Sequence, residues 1–505
     1  MYEEEISDVL IHARYLINSF HVAVRVPPEI LGMISSSLTE EDSFSASQVC
    51  HHWRSVLISS PSLWTRVSCR NVPRTIVSLE RCKSLPIQLQ LEPPFSPVAL
   101  EDVLLHGNGI ASLTISHEPN RILHLQQLFV FSRPSVERLH IYFKTIRGWR
   151  IDEQSVHEIW QDLPSLRELF VHRYSIPIEQ LNAPNLARLA LEHTGYGRDV
   201  TVQSILETLR ECPLLETLLI THSCVSQDQS FYHSPVCLPK LRSIELGSYE
   251  VRCGLILHLQ FPPDVIVGFR VMLLKDVYGD VPMAVTDPVQ HVLGRIDIRC
   301  ITLAASPHHE GGAKLLVRFE GLRGSLEIST CGVYTRAEPQ NVLFDPRGVL
   351  FSHSPRIENV RELHLVGCSF IDGQAFHHIN AAMPDLVSIS FFRCKGANLL
   401  GLLARANPSL PPFPQLERIM VLGSGSGLRR IAKIRKDRGV PLKTVVVGQG
   451  PTRTEYNHPE DYAELGELVD DLRVGCHTEI LKWGTGNEIS NIWSGGKIPS
   501  PVSPN

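Results

Sequence analysis

The chain has 505 residues, of which 43% are hydrophobic and 20% charged, a composition that suits folded, soluble domains or one long repeat array. A net charge of −5 gives no support to sequence-independent nucleic-acid binding, and no stretch of about 18 apolar residues is present to span a membrane. The twelve cysteines are scattered without a CxxC pair, which reads as reduced thiols, many of them small buried hydrophobes, and leaves no structural zinc spacing.

The N-terminus, Met1-Tyr2-Glu3-Glu4-Glu5, lacks the charged-then-apolar layout of a secretory leader. Residues 1–24 carry Val9, Leu10, Ala13, Leu16 and Ile17 at helical spacing, which predicts a helix that docks on the adjoining helical unit or the first repeats. Val26-Pro27-Pro28-Glu29-Ile30-Leu31 then opens a second helix. Proline suits a first turn, where its missing N–H goes unused, and Glu29 faces the positive end of the helix dipole. Ile30, Leu31 and Ile34 form an apolar stripe. Thr39-Glu40-Glu41-Asp42 supplies N-cap chemistry for the next helix. A third segment carries Val49, Cys50, Trp53, Val56 and Leu57 on one face and stops at Pro61, before Leu63-Trp64. These about 40 residues are too few to bury a comfortable core alone, so the unit should lean on a partner or on the rest of the chain.

The order of these strings resembles the F-box, in which a Leu/Ile-Pro-x-Glu-Ile-Leu start, a Val-Cys-x-x-Trp middle and a terminal Leu-Trp recur. The bland alternative is a generic three-helix unit around a tryptophan. Val26 stands where leucine is commoner, and Gly32 with Ser35-Ser36-Ser37 replaces a better helix-forming run. The resemblance covers residues 25–68. It implies docking on a Skp-type adaptor, with contacts at Pro27, Pro28, Glu29, Ile30, Leu31, Val49, Cys50, Trp53, Leu57 and Trp64. Some of these must form the unit's own core, and Trp53 is the first assigned to it.

Beyond residue 68 an apolar-x-x-apolar-x-apolar string recurs. Copies are Ile110-Leu113-Ile115, Val136-Leu139-Ile141, Leu166-Leu169-Val171, Leu186-Leu189-Leu191, Leu215-Leu218-Ile220 and Leu241-Ile244-Leu246, then Val360-Leu363-Leu365, Leu386-Ile389-Phe391, Leu416-Ile419-Val421 and Leu442-Val445-Val447. Neighbouring copies lie about 20–30 residues apart, the period of leucine-rich repeats. In most, a proline sits two residues ahead: Pro134, Pro164, Pro184, Pro213, Pro239, Pro384 and Pro414. The connections read as helices, with Val202, Ile205, Leu206 and Leu209 on one face, another opening at Asp152-Glu153, and a third around Leu399–Leu403. Ile87, Leu89 and Leu91 alternate as a first strand. Weaker copies are read at Ile266-Phe269-Val271 and Ile298-Ile301-Leu303, with irregular, loop-bearing repeats over 247–358. The array is expected to span 69–448, with a cap helix from Pro459 (Tyr462, Leu465, Leu468, Val469, Leu472) and a disordered Pro/Ser tail within 449–505. The expected fold class is α/β: a three-helix head followed by a horseshoe-like solenoid of strand–helix repeats.

Catalytic and cofactor signatures are missing. Gly423-Ser424-Gly425-Ser426-Gly427 has Leu428 where a dinucleotide fingerprint needs its third glycine, and Gly425 where a nucleophile elbow needs serine. No Walker motif and no HExxH appears. The pairs His51-His52, His308-His309 and His377-His378 diverge by about 100° on a helix, which suits solvated faces better than a metal. Arg429-Arg430, Lys433, Arg435-Lys436 and Arg438 precede Gly439, where cations complement a helix C-terminus. No catalytic residue, cofactor or metal ligand is assigned.

Head and repeats together resemble F-box proteins with C-terminal leucine-rich repeats, of the type expanded in basidiomycete fungi. The resemblance implies a non-enzymatic substrate-recognition subunit of an SCF-type cullin ubiquitin ligase in cytoplasm or nucleus, with no nucleic acid or membrane partner. The Skp-type adaptor, and through it a cullin, would hold the head, and an unknown protein substrate would hold to the repeats. Two alternatives remain open: a leucine-rich-repeat interaction scaffold without ligase function, and a hydrolase or nucleotide-dependent enzyme.

Overall fold

The computed structural model describes residues 26–92, 94–105, 109–117, 135–143, 163–173, 178–192, 200–221, 225–226, 234–248, 254–272, 291–307, 313–331, 357–368, 373–392, 412–422, 427–449 and 459–476, together with 6, 9–13, 394 and 403. The expected helix at Asp152, most of that at Leu399–Leu403, the His308-His309 pair, Gly423–Ser426 and the tail with Trp483 and Trp493 lie outside these residues. Two compact units divide the chain: residues 1–199 with 207–215, and 200–206 with 216–503.

The first unit begins with α1 (Pro28–Ser36), α2 (Glu40–Ala46), α3 (His51–Ile58) and a single 3-10 turn, Pro61–Trp64. Residues 9–13 are helical, with Val9 and Leu10 exposed. Strand β1 (Arg66–Ser68) follows at once, then α4 (Val72–Cys82), β2 (Ile87–Leu91), α5 (Pro97–Leu105), β3 (Ile110–His117), β4 (Arg138–Phe143), β5 (Glu168–His172) and β6 (Arg188–Glu192). Strands β1 to β6 pair in chain order, all parallel. The register aligns Val67, Leu89, Leu113, Leu139, Leu169 and Leu189 in one row, and Leu91, Ile115, Ile141, Val171 and Leu191 in the next. Every one of these side chains is buried. The ladder thus starts one strand earlier than Ile87. Arg66-Val67-Ser68 carries a single apolar residue and gives no alternation to read.

Ahead of each strand the prolines open a tight turn. Leu163 O accepts from Leu166 N at 3.1 Å, Ala183 O from Leu186 N at 3.0 Å and Cys212 O from Leu215 N at 3.2 Å, each with proline in the second turn position. Proline's fixed φ suits that position, so the recurring proline sets the turn that delivers the chain to the sheet, rather than only ending a helix.

The second unit repeats the device. Strands β7 (Thr217–Thr221), β8 (Ser243–Ser248) and β9 (Ile266–Met272) run parallel. The expected third copy is displaced by two residues. Leu218 aligns with Ile244 and Val267, and Ile220 with Leu246 and Phe269, so Val267 and Phe269 point inward while Ile266 is exposed. Next comes an arrangement the repeat pattern did not foresee. Strand β10 (Ile298–Pro307) turns back as β11 (Ala313–Gly321), antiparallel to it, and β12 (Ser325–Cys331) returns to pair in parallel with β9. The spatial order is therefore β9-β12-β11-β10, with β13 (Glu362–Val366) parallel to β10. Core rows continue through the insertion by way of Leu326 and Ile328, Val317 and Phe319, and Ile301 and Leu303. Period-two alternation at Val317-Arg318-Phe319 and Leu326-Glu327-Ile328, split by Gly321-Leu322-Arg323-Gly324, is a hairpin signature that a search for three-apolar strings passes over.

Gly324 makes that hairpin possible. Its φ is +73°, and a Cβ there would lie 2.5 Å from Pro263 O and 2.9 Å from Val265 O. Gly324→Ala is expected to cost about 2 kcal/mol, from the left-handed backbone plus the clash, read as a lowered urea midpoint for the second unit. A midpoint equal to wild type contradicts this account of the turn.

Helix α7 (Gly373–Ala382), β14 (Ser388–Phe392), β15 (Arg418–Leu422), α8 (Leu428–Asp437), β16 (Thr444–Gln449), α9 (Pro459–Gly466) and β17 (Asp471–Cys476) complete the unit, and β13 to β17 are parallel in chain order. Helix α6 (Val202–Arg210) precedes β7 and buries Val202, Ile205, Leu206 and Leu209 as expected. The cap helix starts at Pro459 and buries Leu465, but it ends at Gly466, and Leu472 lies in β17, paired with Val445. The ladder therefore runs past Gly448 by one more strand, because the aspartates at 470–471 and Gly466 stop the helix. Two cysteines serve as ladder residues. Cys368 donates to Leu303 O at 3.3 Å and Cys394 to Leu365 O at 3.2 Å, each reaching one strand back. No disulfide occurs among the described residues.

Candidate functional site

The N-terminal helices are held by a dense set of short-range contacts. Pro28 occupies the first turn of α1, whose first backbone bond is Leu31 N to Pro27 O at 3.0 Å. Thr39 Oγ1 accepts from Asp42 N at 3.2 Å and donates to Asp42 Oδ2 at 2.7 Å, the expected cap of α2. Cys50 Sγ accepts from Trp53 N at 3.5 Å and caps α3. His52 Nε2 lies 2.9 Å from Val26 O, which ties α3 to the start of α1, so this histidine is a clasp rather than part of a solvated face. Arg54 Nε donates to Ser47 O at 3.0 Å, and Arg66 Nη1 donates to Leu38 O at 3.0 Å.

Trp64, not Trp53, is the core tryptophan. It is fully buried, its indole N–H donates to Leu57 O at 2.8 Å, and Phe44 meets it edge-on at 5.1 Å. The Arg81 guanidinium of α4 lies 4.2 Å above its ring. Trp53 is only half-buried, because it sits in the first turn of α3 while Leu57, one turn on, takes the inward position. Leu31 and Leu57 are also completely buried. Of the ten residues assigned to adaptor contact, then, Leu31, Leu57 and Trp64 belong to the unit's own interior. Cys50 and Trp53 are half-buried, and Pro27, Pro28, Glu29, Ile30 and Val49 are exposed.

The sequence stripe Ile30-Leu31-Ile34 divides accordingly. Leu31 and Ser35 face inward, whereas Ile30, Met33 and Ile34 are 45%, 70% and 45% exposed. Their i, i+3, i+4 spacing places the three on one outward face of α1, beside exposed Pro27 and Pro28. Met33 was missed because a helix with two candidate apolar stripes does not say which one turns outward.

The helical unit also leans on the first repeat, as its small size requires. Glu40 meets Ser78 Oγ at 3.5 Å, accepts from the Ser68 backbone and lies near Arg74. Burial, the largest influence, pushes its carboxyl up to about 7, against the lowering effects of Ser68, Ser78 and Arg74. A raised folded-state value means that the protonated form is held more tightly in the fold. This contribution is full below about 4.5 and is lost as pH rises through about 7. The first unit is therefore expected to be more stable at pH 5.5 than at pH 8 by about 1–2 kcal/mol, and Glu40→Gln should flatten the difference in thermal melts. An unchanged difference in the variant contradicts the assignment.

Residues 23–70 match the family model described as F-box-like. They form an F-box-like domain. No curated protein matches the chain. Among solved structures, the crystal structure of the Rad7 and Elc1 complex in yeast aligns at 10% sequence identity and a TM-score of 0.33, covering 92% of this chain and 99% of that chain. No helix among the described residues is long and apolar enough to cross a membrane.

A second surface lies on the strand face opposite the core of the first unit. His140 and Tyr142 of β4, and Phe170 and His172 of β5, form a row of rings: Tyr142 and Phe170 are 4.9 Å apart, and Phe170 stacks on His172 at 6.5 Å with an 11° interplanar angle. Glu168 pairs with His140 at 3.3 Å and Glu192 with His172 at 3.2 Å. The His140 hydrogen bond holds the Glu168 carboxyl below its ordinary range, and burial, with Glu192 and Glu168 nearby, pushes the Tyr142 hydroxyl up to about 12.

Proposed function

We propose that the protein is the substrate-recognition subunit of an SCF-type cullin ubiquitin ligase, working in cytoplasm or nucleus. The F-box-like domain docks on a Skp-type adaptor, and through it on a cullin, while the repeats hold a target protein. The chain does no chemistry of its own. It raises the local concentration of the target's lysines near a charged conjugating enzyme, a tethering effect. The observation that carries this reading is the outward apolar ridge of α1, Ile30, Met33 and Ile34, within a domain that matches the F-box-like family. Apolar anchors of this type dominate interface energies when a partner groove desolvates them. His140, Tyr142 and His172, the half-buried members of the ring row of β4 and β5, are the surface we assign to target contact in the first unit, while Phe170 is buried and holds the row together.

Co-purification tests the reading. The full chain is expected to form a one-to-one complex with a Skp-type adaptor, and Ile30→Asp with Met33→Asp should weaken it by about 100-fold or more while costing only about 1 kcal/mol of stability, because both side chains are exposed, Met33 more than Ile30. Retention of the complex by the double variant overturns the assignment of the ridge. Failure of the wild type to bind favours the scaffold alternative, in which the same surfaces serve protein interaction outside a ligase.

A further inference from the structure

We infer that Cys300, Glu362 and His364 form a binding site for a single Zn2+ ion in the second unit. Cys300 lies on β10, and its register partner on β13 is Glu362; His364 is two residues further along β13, on the same face. One ligand atom from each, a sulfur, a carboxylate oxygen and an imidazole nitrogen, lies within 4.8 Å of the other two. His364 is only 5% exposed, and its Nδ1 has no hydrogen-bond partner among the described residues. The ring's other nitrogen, Nε2, is the one that faces Glu362 and is placed to take the metal bond.

The Cys300 thiol has the Thr302 side chain within hydrogen-bond reach, and no hydrogen bond joins Glu362 to His364. Glu362 Oε1 is held by Arg418 at 3.4 Å, while Oε2 turns toward His364 Nε2 at 3.9 Å, too far for a hydrogen bond. Arg418 therefore orients the carboxylate as an outer partner, the role such contacts play around bound metals. A mixed sulfur, nitrogen and oxygen donor set suits Zn2+ over hard cations, and three protein ligands leave a fourth position for water or for a side chain of a bound protein. The ion would tie β10, the first strand of the antiparallel insertion, to the strand that resumes the parallel array. Sequence spacing conceals the site because Cys300 and Glu362 are far apart in the chain and meet only through β10–β13 pairing.

The test uses the full chain, stripped with a chelator and titrated with Co2+ and then Zn2+. One equivalent of Co2+ should bind and give a thiolate-to-cobalt charge-transfer band, which one equivalent of Zn2+ abolishes. Cys300→Ser should lose the band, and Glu362→Gln, a conservative change at a half-exposed position, should weaken Zn2+ binding by about 10-fold or more. Cys237→Ser, at an exposed cysteine, should leave both unchanged. Circular dichroism identical to wild type shows that the variants are folded. Absence of a charge-transfer band in wild type, or its persistence in Cys300→Ser, overturns the site and leaves the ligase reading untouched.

Discussion

Replacing Trp64 with alanine is expected to destabilise the first unit by about 3–5 kcal/mol, the largest effect of any single change in the F-box-like domain. The ring is fully enclosed between Phe44 and the Arg81 guanidinium, and its N–H satisfies Leu57 O. Truncation opens a cavity where three helices and the first repeat meet, removes a cation–π contact and leaves Leu57 O with only the Ser60 N–H as donor. Trp64→Phe keeps most of the buried area and loses the hydrogen bond, so it should cost about 1–2 kcal/mol. Thermal unfolding at pH 7 distinguishes these: a large fall for alanine, a small one for phenylalanine. A Trp64→Ala melt within a degree of wild type would show that the core lies elsewhere.

The second large effect belongs to Arg435 in α8. The sequence places it in a basic run that complements a helix C-terminus, and Lys436 does lie there, donating to Glu467 O at 2.8 Å. Arg435, by contrast, is 3% exposed and turns inward. Its guanidinium donates to Pro412 O at 3.0 Å, Phe413 O at 3.2 Å and Leu416 O at 2.9 Å. Burial lowers its pKa to about 10, still well above neutrality, so the group remains charged and is neutralised by carbonyl dipoles. Those carbonyls belong to the turn that delivers β15, where Phe413 adopts a left-handed φ of 52°. Phe413 N also donates to Asn380 Oδ1 at 2.7 Å, and its ring packs edge-on against Phe376 at 5.4 Å. Arg435→Met removes the charge, takes the guanidinium donors from Pro412 O and Leu416 O, leaves Phe413 O with only the Leu416 N–H and releases the strained turn. The expected loss is about 3 kcal/mol in the second unit, and Arg435→Lys should recover only part of it, because a point charge cannot span three acceptors. Urea unfolding of the second unit measures both. Equal stability of wild type and Arg435→Met contradicts the bracing role.

Much of the fold was legible because it repeats. The apolar triplets with a leading proline located the strands of both units, since each triplet fills the same inward rows and each proline sets the same turn. The exceptions have physical causes. Val67 sits in a three-residue strand with no alternation. The Val267–Phe269 pair was misaligned because exposed Ile266 mimics a core position. The β10–β12 insertion follows period two rather than the repeat string, and Leu472 satisfies a helical face as well as a strand face. At the candidate site, the sequence could not assign facing. Leu31 and Ile30 are neighbours of similar character, and only packing against α3 and Trp64 sends one inward and the other out. Composition could not have revealed the joint with the first repeat, since Glu40, Arg74, Ser78 and Arg81 are ordinary surface residue types until the fold brings them together.

A calorimetric titration of a Skp-type adaptor into the purified full chain examines most directly whether the F-box-like head is a docking module. We expect one-to-one binding with a dissociation constant below about 1 μM, reduced at least 100-fold by Ile30→Asp with Met33→Asp. No binding heat at about 10 μM, or equal affinity for wild type and the double variant, would contradict the account.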